Sequence, residues 1–352
     1  MSKTELIDSL QRQCHHQNVN FKGQDWSGIT LKKVIFVDCD FTQANLSEVA
    51  FSQCRFKNCE FEQTIWSKSA LKGVIFDDCR FHNVDAEEMQ CKQVAFTACE
   101  LERVNFNGAV HHLSVFKEGS AKHIDFCAAN LRTLAITGTE LSQINFIDTR
   151  IEKSAFQKVR LTDSMFVRTH FEKSSISNID LSTNRFENVH FFALQLNECD
   201  LHDVDLSDCY LAHCYVNQSQ LTGAKLRGVQ ASFSAFMGSD LSGVDLGLAV
   251  CNGCCFEGAD VSQANLTGAN ISQSIWTSAV AYQTCFKNIT AEYVDFAHAN
   301  LTEANFSGAH LMGAKFHQTL MKDTYWGNAN KLGATGTDPD RTEAEQWSKG
   351  VL

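Results

Sequence analysis

The sequence predicts an all-β solenoid, a chain wound into many short-sided coils. Three observations predict it. A frame of five runs from Phe21 to Trp326 without insertion or deletion, with a large apolar residue at most of its centres. The positions around it hold to fixed chemical types. Phenylalanines also recur at twenty, as in Phe36, Phe56, Phe76, Phe96 and Phe116. Five is the period of neither a strand nor a helix, and a fixed period is the mark of a repeat architecture.

The frame holds 62 pentapeptides, and 54 of their centres are Phe, Leu, Ile, Val, Met or Trp. It takes in 24 of the 26 phenylalanines, leaving out only Phe192 and Phe233. Two residues before each centre stands a small or β-branched residue, such as Val34, Cys39, Ala44, Cys59 or Ala264. Two residues after it glycine collects, with 15 of the 20 glycines in that phase; glycine suits a chain that must turn. Polar residues fill the rest. Each pentapeptide therefore has two inward residues, one small and one large, and three outward ones.

This pattern resembles the pentapeptide-repeat proteins, whose consensus is close to Ala-(Asp/Asn)-Leu-X-X. Ala264-Asn265-Leu266, Ala299-Asn300-Leu301 and Ala304-Asn305-Phe306 match it best, and the resemblance covers residues 21–326. It implies a right-handed quadrilateral parallel β-helix with four pentapeptides per coil, hence about 15 coils. Residues twenty apart then stack, and the phenylalanine runs become contiguous core columns, as a solenoid with nearest-neighbour contacts needs.

The ends call for caps, because a solenoid leaves raw edges. Residues 1–20 are read as an N-terminal helical cap, with a short amphipathic helix over 3–13 carrying Leu6, Ile7 and Leu10. His15 and His16 fall before the repeats and are expected in solvent. Residues 327–352 are read as a polar linker and a C-terminal helix. Asp338 is the N-cap, Pro339 the first helical position, and Gly350 follows the run. Trp326 and Trp347 are the candidate residues for capping the last coil or pairing two copies.

Of the fifteen cysteines, nine (39, 54, 59, 79, 99, 199, 209, 214 and 254) occupy the small inward position, where a thiol acts as a small hydrophobe. So many free thiols point to a reducing compartment, the cytoplasm. Cys251-Asn252-Gly253-Cys254-Cys255 has metal-like spacing, but the frame puts Cys251 and Cys254 on adjacent sides of a packed coil, and no metal or cofactor is expected. His111 is the one histidine at a centre. With Ala86, Cys91, Gly119 and Ala121 it suggests a kink or loosened coil between about 86 and 121.

The net charge of −11 argues against direct nucleic-acid binding, which needs a basic footprint. No run approaches the ~18 apolar residues of a membrane span, and the N-terminus has no secretory h-region. Charge is lopsided: residues 1–176 hold 22 acidic and 21 basic residues, residues 177–352 hold 19 and 9. Along one face the residue before the centre gives a row whose last third, Asp200, Gln220, Asp240 and Asp260, is acidic without an arginine. Its candidate partner-binding residues are Asp180, Asp200, Asp240 and Asp260. A quarter-turn earlier the same phase gives a semi-apolar stripe, with Ile35, Ile75 and Val115 as candidates.

A filled solenoid offers no deep cleft, and no nucleotide loop, metalloprotease helix or nucleophile elbow is found. The expectation is a non-enzymatic, bacterial protein–protein interaction scaffold or adaptor. The resemblance implies two alternatives. Some pentapeptide-repeat proteins are acidic DNA mimics that bind DNA gyrase in place of DNA, which would make the partner a basic DNA-binding protein. Others are secretion-system-associated proteins or effectors. A homodimer through the C-terminal end is also expected.

Overall fold

The computed structural model describes residues 10 and 12–349. Apart from Leu10, Arg12 and Gln13, the expected N-terminal helix lies outside the described residues. The chain forms two compact units, Met1–Arg185 and Phe186–Leu352, each a parallel β-solenoid.

In the first unit the chain visits four sides in turn. Side one begins with the strands Thr30–Lys32, Ala50–Ser52, Ala70–Lys72, Gln90–Lys92, Val110–His112 and Asn130–Arg132. Side two is a nine-stranded sheet from His15–Gln17 to Ser175–Ser177. Side three carries six strands from Glu60–Glu62 to Arg160–Thr162. Side four is joined by single bridges such as Asp25↔Asn45 and Asp125↔Asn145. Every pairing is parallel and offset by twenty residues, as in Phe36↔Phe56 and Leu71↔Cys91. Four pentapeptides thus make one coil.

The centres fill the core. Phe36, Phe56, Phe76, Phe96 and Phe116 stack with successive centroids 4.9, 5.0, 5.0 and 4.7 Å apart and nearly parallel rings. Phe106, Phe126, Phe146 and Phe166 form a second column. The small inward position has a further task. At many places where it is Ser, Thr or Cys, the side chain donates to a main-chain carbonyl of the coil before: Thr149 to Phe126 at 2.7 Å, Ser219 to Leu196 at 2.7 Å, Cys99 to Phe76 at 3.5 Å. A buried hydroxyl with such a partner avoids the ~1–3 kcal/mol cost of an unmet donor. The nine inward cysteines are buried, and all fifteen cysteines are free.

In the second unit, after the strand His190–Phe192, sides are joined by single bridges, from His190↔Tyr210 to Lys315↔Thr335, and tight turns replace strands. The turn at Leu241 is closed by the Val244 N–H donating to the Leu241 carbonyl, with Gly243 at φ 69°. A type II turn requires this positive φ at its third residue, which is why glycine gathers there. In the first unit many polar residues adopt the same left-handed conformation, including Lys33, Asp38 and Asn58.

Three expectations are corrected. His16 is buried, not solvated: its ring stacks on Phe36 at 5.4 Å and extends the core column by one place. The winding does not stop at Trp326. Asn330 and Thr335 bridge to His310 and Lys315, because the main chain keeps its turns after the apolar centres end. There is no kink between 86 and 121. His111 pairs in register with Cys91 and Leu131, and Leu101 with Ala121. The main-chain ladder holds where side chains shrink, and the lost volume appears as a small internal gap lined by Ala121, Phe116, Phe126 and Leu141. The terminal helix, α1 (Pro339–Lys349), forms as the sequence indicates, with the Asp338 carboxylate accepting from the N–H groups of Asp340 and Arg341.

Candidate functional site

Because the core is packed, chemistry is confined to the outward rows. In the second unit Asp200, Gln220, Asp240 and Asp260 bridge in succession and form one row. Each Asp is fixed by its own backbone. The carboxylate of Asp200 accepts from the His202 N–H, that of Asp240 from Ser242 N–H, and that of Asp260 from Ser262 N–H, at 2.8–3.1 Å. This is an Asx-type turn. It leaves the second carboxylate oxygen for other contacts: Asp240 receives Thr222 Oγ1 there at 3.1 Å. Burial pushes the Asp240 carboxyl up, but the bonds from Ser242 and Thr222 outweigh it, and its pKa is lowered. His202 Nδ1 lies 2.6 Å from Asp200. Asp180 belongs to the first unit and makes the same turn with Ser182.

The candidate apolar stripe lies on side two of the first unit. Ile35 and Ile75 are exposed and Val115 is half-buried. Arg55 stands between Ile35 and Ile75 in register and reaches Asp77 at 2.7 Å, so a guanidinium divides the stripe.

Trp326 closes the core column of the second unit, stacked on Phe306 at 4.8 Å and half-exposed, with Lys331 Nζ 4.6 Å from its ring. Around it Leu320, Met321, Tyr325 and Leu332 are exposed, although α1 is docked. Trp347 on α1 is 78% exposed. No ring contact joins it to Trp326 among the described residues. The helix is held by Glu345 instead. Its carboxylate receives His298 Nε2 at 3.2 Å, His317 Nε2 at 3.3 Å, Arg341 Nε at 2.8 Å and Gln318 Nε2 at 3.2 Å. Burial would raise the Glu345 pKa, yet the bonds from His317, Arg341 and His298 take it down to about 2.

Two histidines and a carboxylate within 4.8 Å resemble a metal-ligand set. The proton positions argue otherwise. The Asp338 N–H donates to His317 Nδ1 at 3.1 Å, so in the neutral ring the proton sits on Nε2 and points at Glu345. A metal would need the Nε2 lone pair, and Arg341 and Gln318 already aim donors at the same carboxylate. The group is a latch for α1. Sequence reading missed it because His298, His317 and Glu345 meet only once the helix has docked.

Cys251 and Cys254 are both buried. Cys254 donates to the Ala231 carbonyl at 2.8 Å, and the neighbouring Cys254 thiol together with burial drives the Cys251 pKa well up. Cys251 is thereby held as a thiol, a poor ligand and a poor nucleophile. Phe192 and Phe233, outside the apolar frame, meet on an outer corner through His213, at 5.5 Å to each.

Family models for a pentapeptide repeat region match residues 9–84, 29–106 and 49–126, and one for pentapeptide repeats matches 205–243, 245–275 and 284–324. Together they span well over half of the chain. The chain belongs to the pentapeptide-repeat family. Solved pentapeptide-repeat structures are similar to it. One is HetL, involved in heterocyst differentiation regulation in the cyanobacterium Nostoc (20% identity, 62% of this chain and 91% of that one, TM-score 0.30). Another is QnrB1, a plasmid-mediated fluoroquinolone resistance protein (17%, 53% and 97%, TM-score 0.28). A third is Rfr23 from the cyanobacterium Cyanothece (20%, 39% and 63%, TM-score 0.12). No curated protein matches the chain. No described helix of this pentapeptide-repeat protein is long and apolar enough to cross a membrane.

Proposed function

We propose that this protein is a non-enzymatic interaction scaffold or adaptor that binds protein partners through its outer sides. The observation that supports this reading best is the row Asp200, Asp240 and Asp260. Its carboxylates are held outward by their own backbone turns and repeat at whole-coil intervals, roughly 4.8 Å per coil. A preset row of charge attracts a basic partner and costs little ordering when it binds. The test is affinity capture from lysate with the intact chain and with Asp200→Asn/Asp240→Asn/Asp260→Asn. A partner lost with the triple variant supports the reading; identical capture by both refutes the row as the site.

The same acidic row favours a second reading, a DNA mimic acting on gyrase or another basic DNA-binding protein. A supercoiling assay with and without the chain decides it, and no effect at micromolar protein excludes it. The exposed Leu320, Tyr325 and Leu332 at the last coil support pairing of two copies through that end. Light scattering should then give twice the chain mass, and Leu320→Glu/Leu332→Glu should give the monomer.

A further inference from the structure

Side one of the first unit opens with six coils that are basic and free of carboxylates, before Glu152 and Glu172 enter it in the strands Arg150–Glu152 and His170–Glu172. Residues 30–33, 50–53, 70–73, 90–93, 110–113 and 130–133 include Lys32, Lys33, Lys72, Lys92 and Arg132 and not one carboxylate. The row after the centre stacks Lys32, Ser52, Lys72, Lys92, His112 and Arg132 in register. Arg132 is 3.7 Å from Glu152. Lys32, Lys72 and Lys92 are exposed, and among the described residues none pairs with a carboxylate.

The row before the centre is small: Thr30, Ala50 and Ala70, then Gln90 and Val110. Its short side chains leave a trough of about 460 Å³ lined by Ala50, Ala70 and Val110 together with Lys72 and Lys92, over the buried Phe51, Leu71 and Cys91. The floor is almost wholly apolar. At its far end the Nδ1 of His112 is enclosed without a hydrogen-bond partner.

We propose that this trough docks an extended polypeptide segment of another protein, in which acidic and apolar side chains alternate. From Thr30 to Val110 is four coil spacings, roughly 19 Å, which an extended chain covers in about six residues. In such a chain alternate side chains face opposite ways. One set would lie on the apolar floor and the other along the lysine bank, where opposite charge sets orientation and register. A nucleic acid fits less well. The floor offers nothing to a phosphate, and the turns entering the opposite bank carry Glu48 and Glu88, which repel a second line of negative charge. The inference rests on the interaction reading above but uses a different surface.

The test is fluorescence anisotropy with the full chain and a labelled octapeptide alternating Val and Glu. Saturable binding is expected, weakening with salt. Lys72→Glu/Lys92→Glu should lower affinity at least ten-fold with an unchanged melting temperature, and Ala70→Trp, which fills the trough but keeps the charges, should weaken it as well. The Asp200/Asp240/Asp260 triple variant should bind the peptide like the natural chain, which separates failure here from failure of the acidic row. No saturable binding, equal affinity in the lysine variant, or tighter binding of a twelve-nucleotide single strand overturns the proposal.

Discussion

Gly119 lies so close to the carbonyl oxygen of Cys99 that a methyl group on Gly119 would sit inside that oxygen's van der Waals envelope. The two residues occupy the same inward position on successive coils. Gly119→Ala should therefore destabilise the protein by about 1–3 kcal/mol through overpacking against rigid backbone. Gly243→Ala is the control. A Cβ there meets nothing within 4 Å, so only its φ of 69° resists, at about 1–2 kcal/mol. Urea unfolding of both variants separates clash from conformation.

His111 is fully buried with neither ring nitrogen hydrogen-bonded. Burial lowers its pKa from 6.5 to about 4. Below pH 6.5 the unfolded chain takes up a proton that the folded ring refuses until about pH 4, so stability falls as pH drops through that window. His111→Leu should remove that part of the slope and add about 1–3 kcal/mol at neutral pH by deleting unmet polar atoms. Thermal unfolding between pH 4 and 7 checks both.

Phe76 stacks between Phe56 and Phe96 at 5.0 Å on each side. Phe76→Ala should cost about 3–5 kcal/mol. Phe76→Leu, which keeps most of the volume, should cost less. Equal, negligible losses in chemical denaturation would deny the column its role.

Glu345 is the carboxylate on which α1 is latched. Glu345→Ala should leave the solenoid intact and abolish amide protection across 341–347 in hydrogen exchange. Because the folded pKa is depressed to about 2 from 4.5, the latch is at full strength above pH 4.5 and weakens as pH falls toward 2.

The period of five identified the inward residues well: Leu301, Phe306 and Leu311 are buried, as are Ala299, Ala304 and Ala309. It misjudged the two ends because it tracked large apolar side chains. His16 packs as an aromatic ring although it is a histidine. Lys331 holds a centre position and covers Trp326 by a cation–π contact, while Gly333 still makes the turn. Around Ala121 the reading expected weak packing to bend the backbone, but ladder hydrogen bonds do not depend on side-chain volume. The acidic row was legible because a period of twenty places residues in space. The division of the apolar stripe by Arg55 was legible in the same way. The lysine bank required reading another phase of that period, the one after the centre. The latch was beyond any periodic rule, since α1 lies outside the repeat.

The uniform offset of twenty residues between neighbours also constrains how such a chain can change in length. Excising twenty consecutive residues would splice out one coil and leave each remaining side chain on its present side. Excising five would carry everything downstream a quarter-turn around the axis. The core would still receive a small residue and a large one in every pentapeptide, so packing would survive. A five-residue excision just before Asp200 would move Asp200, Asp240 and Asp260 to a different side of the coils without altering one of them. In this architecture an indel acts as a rotation.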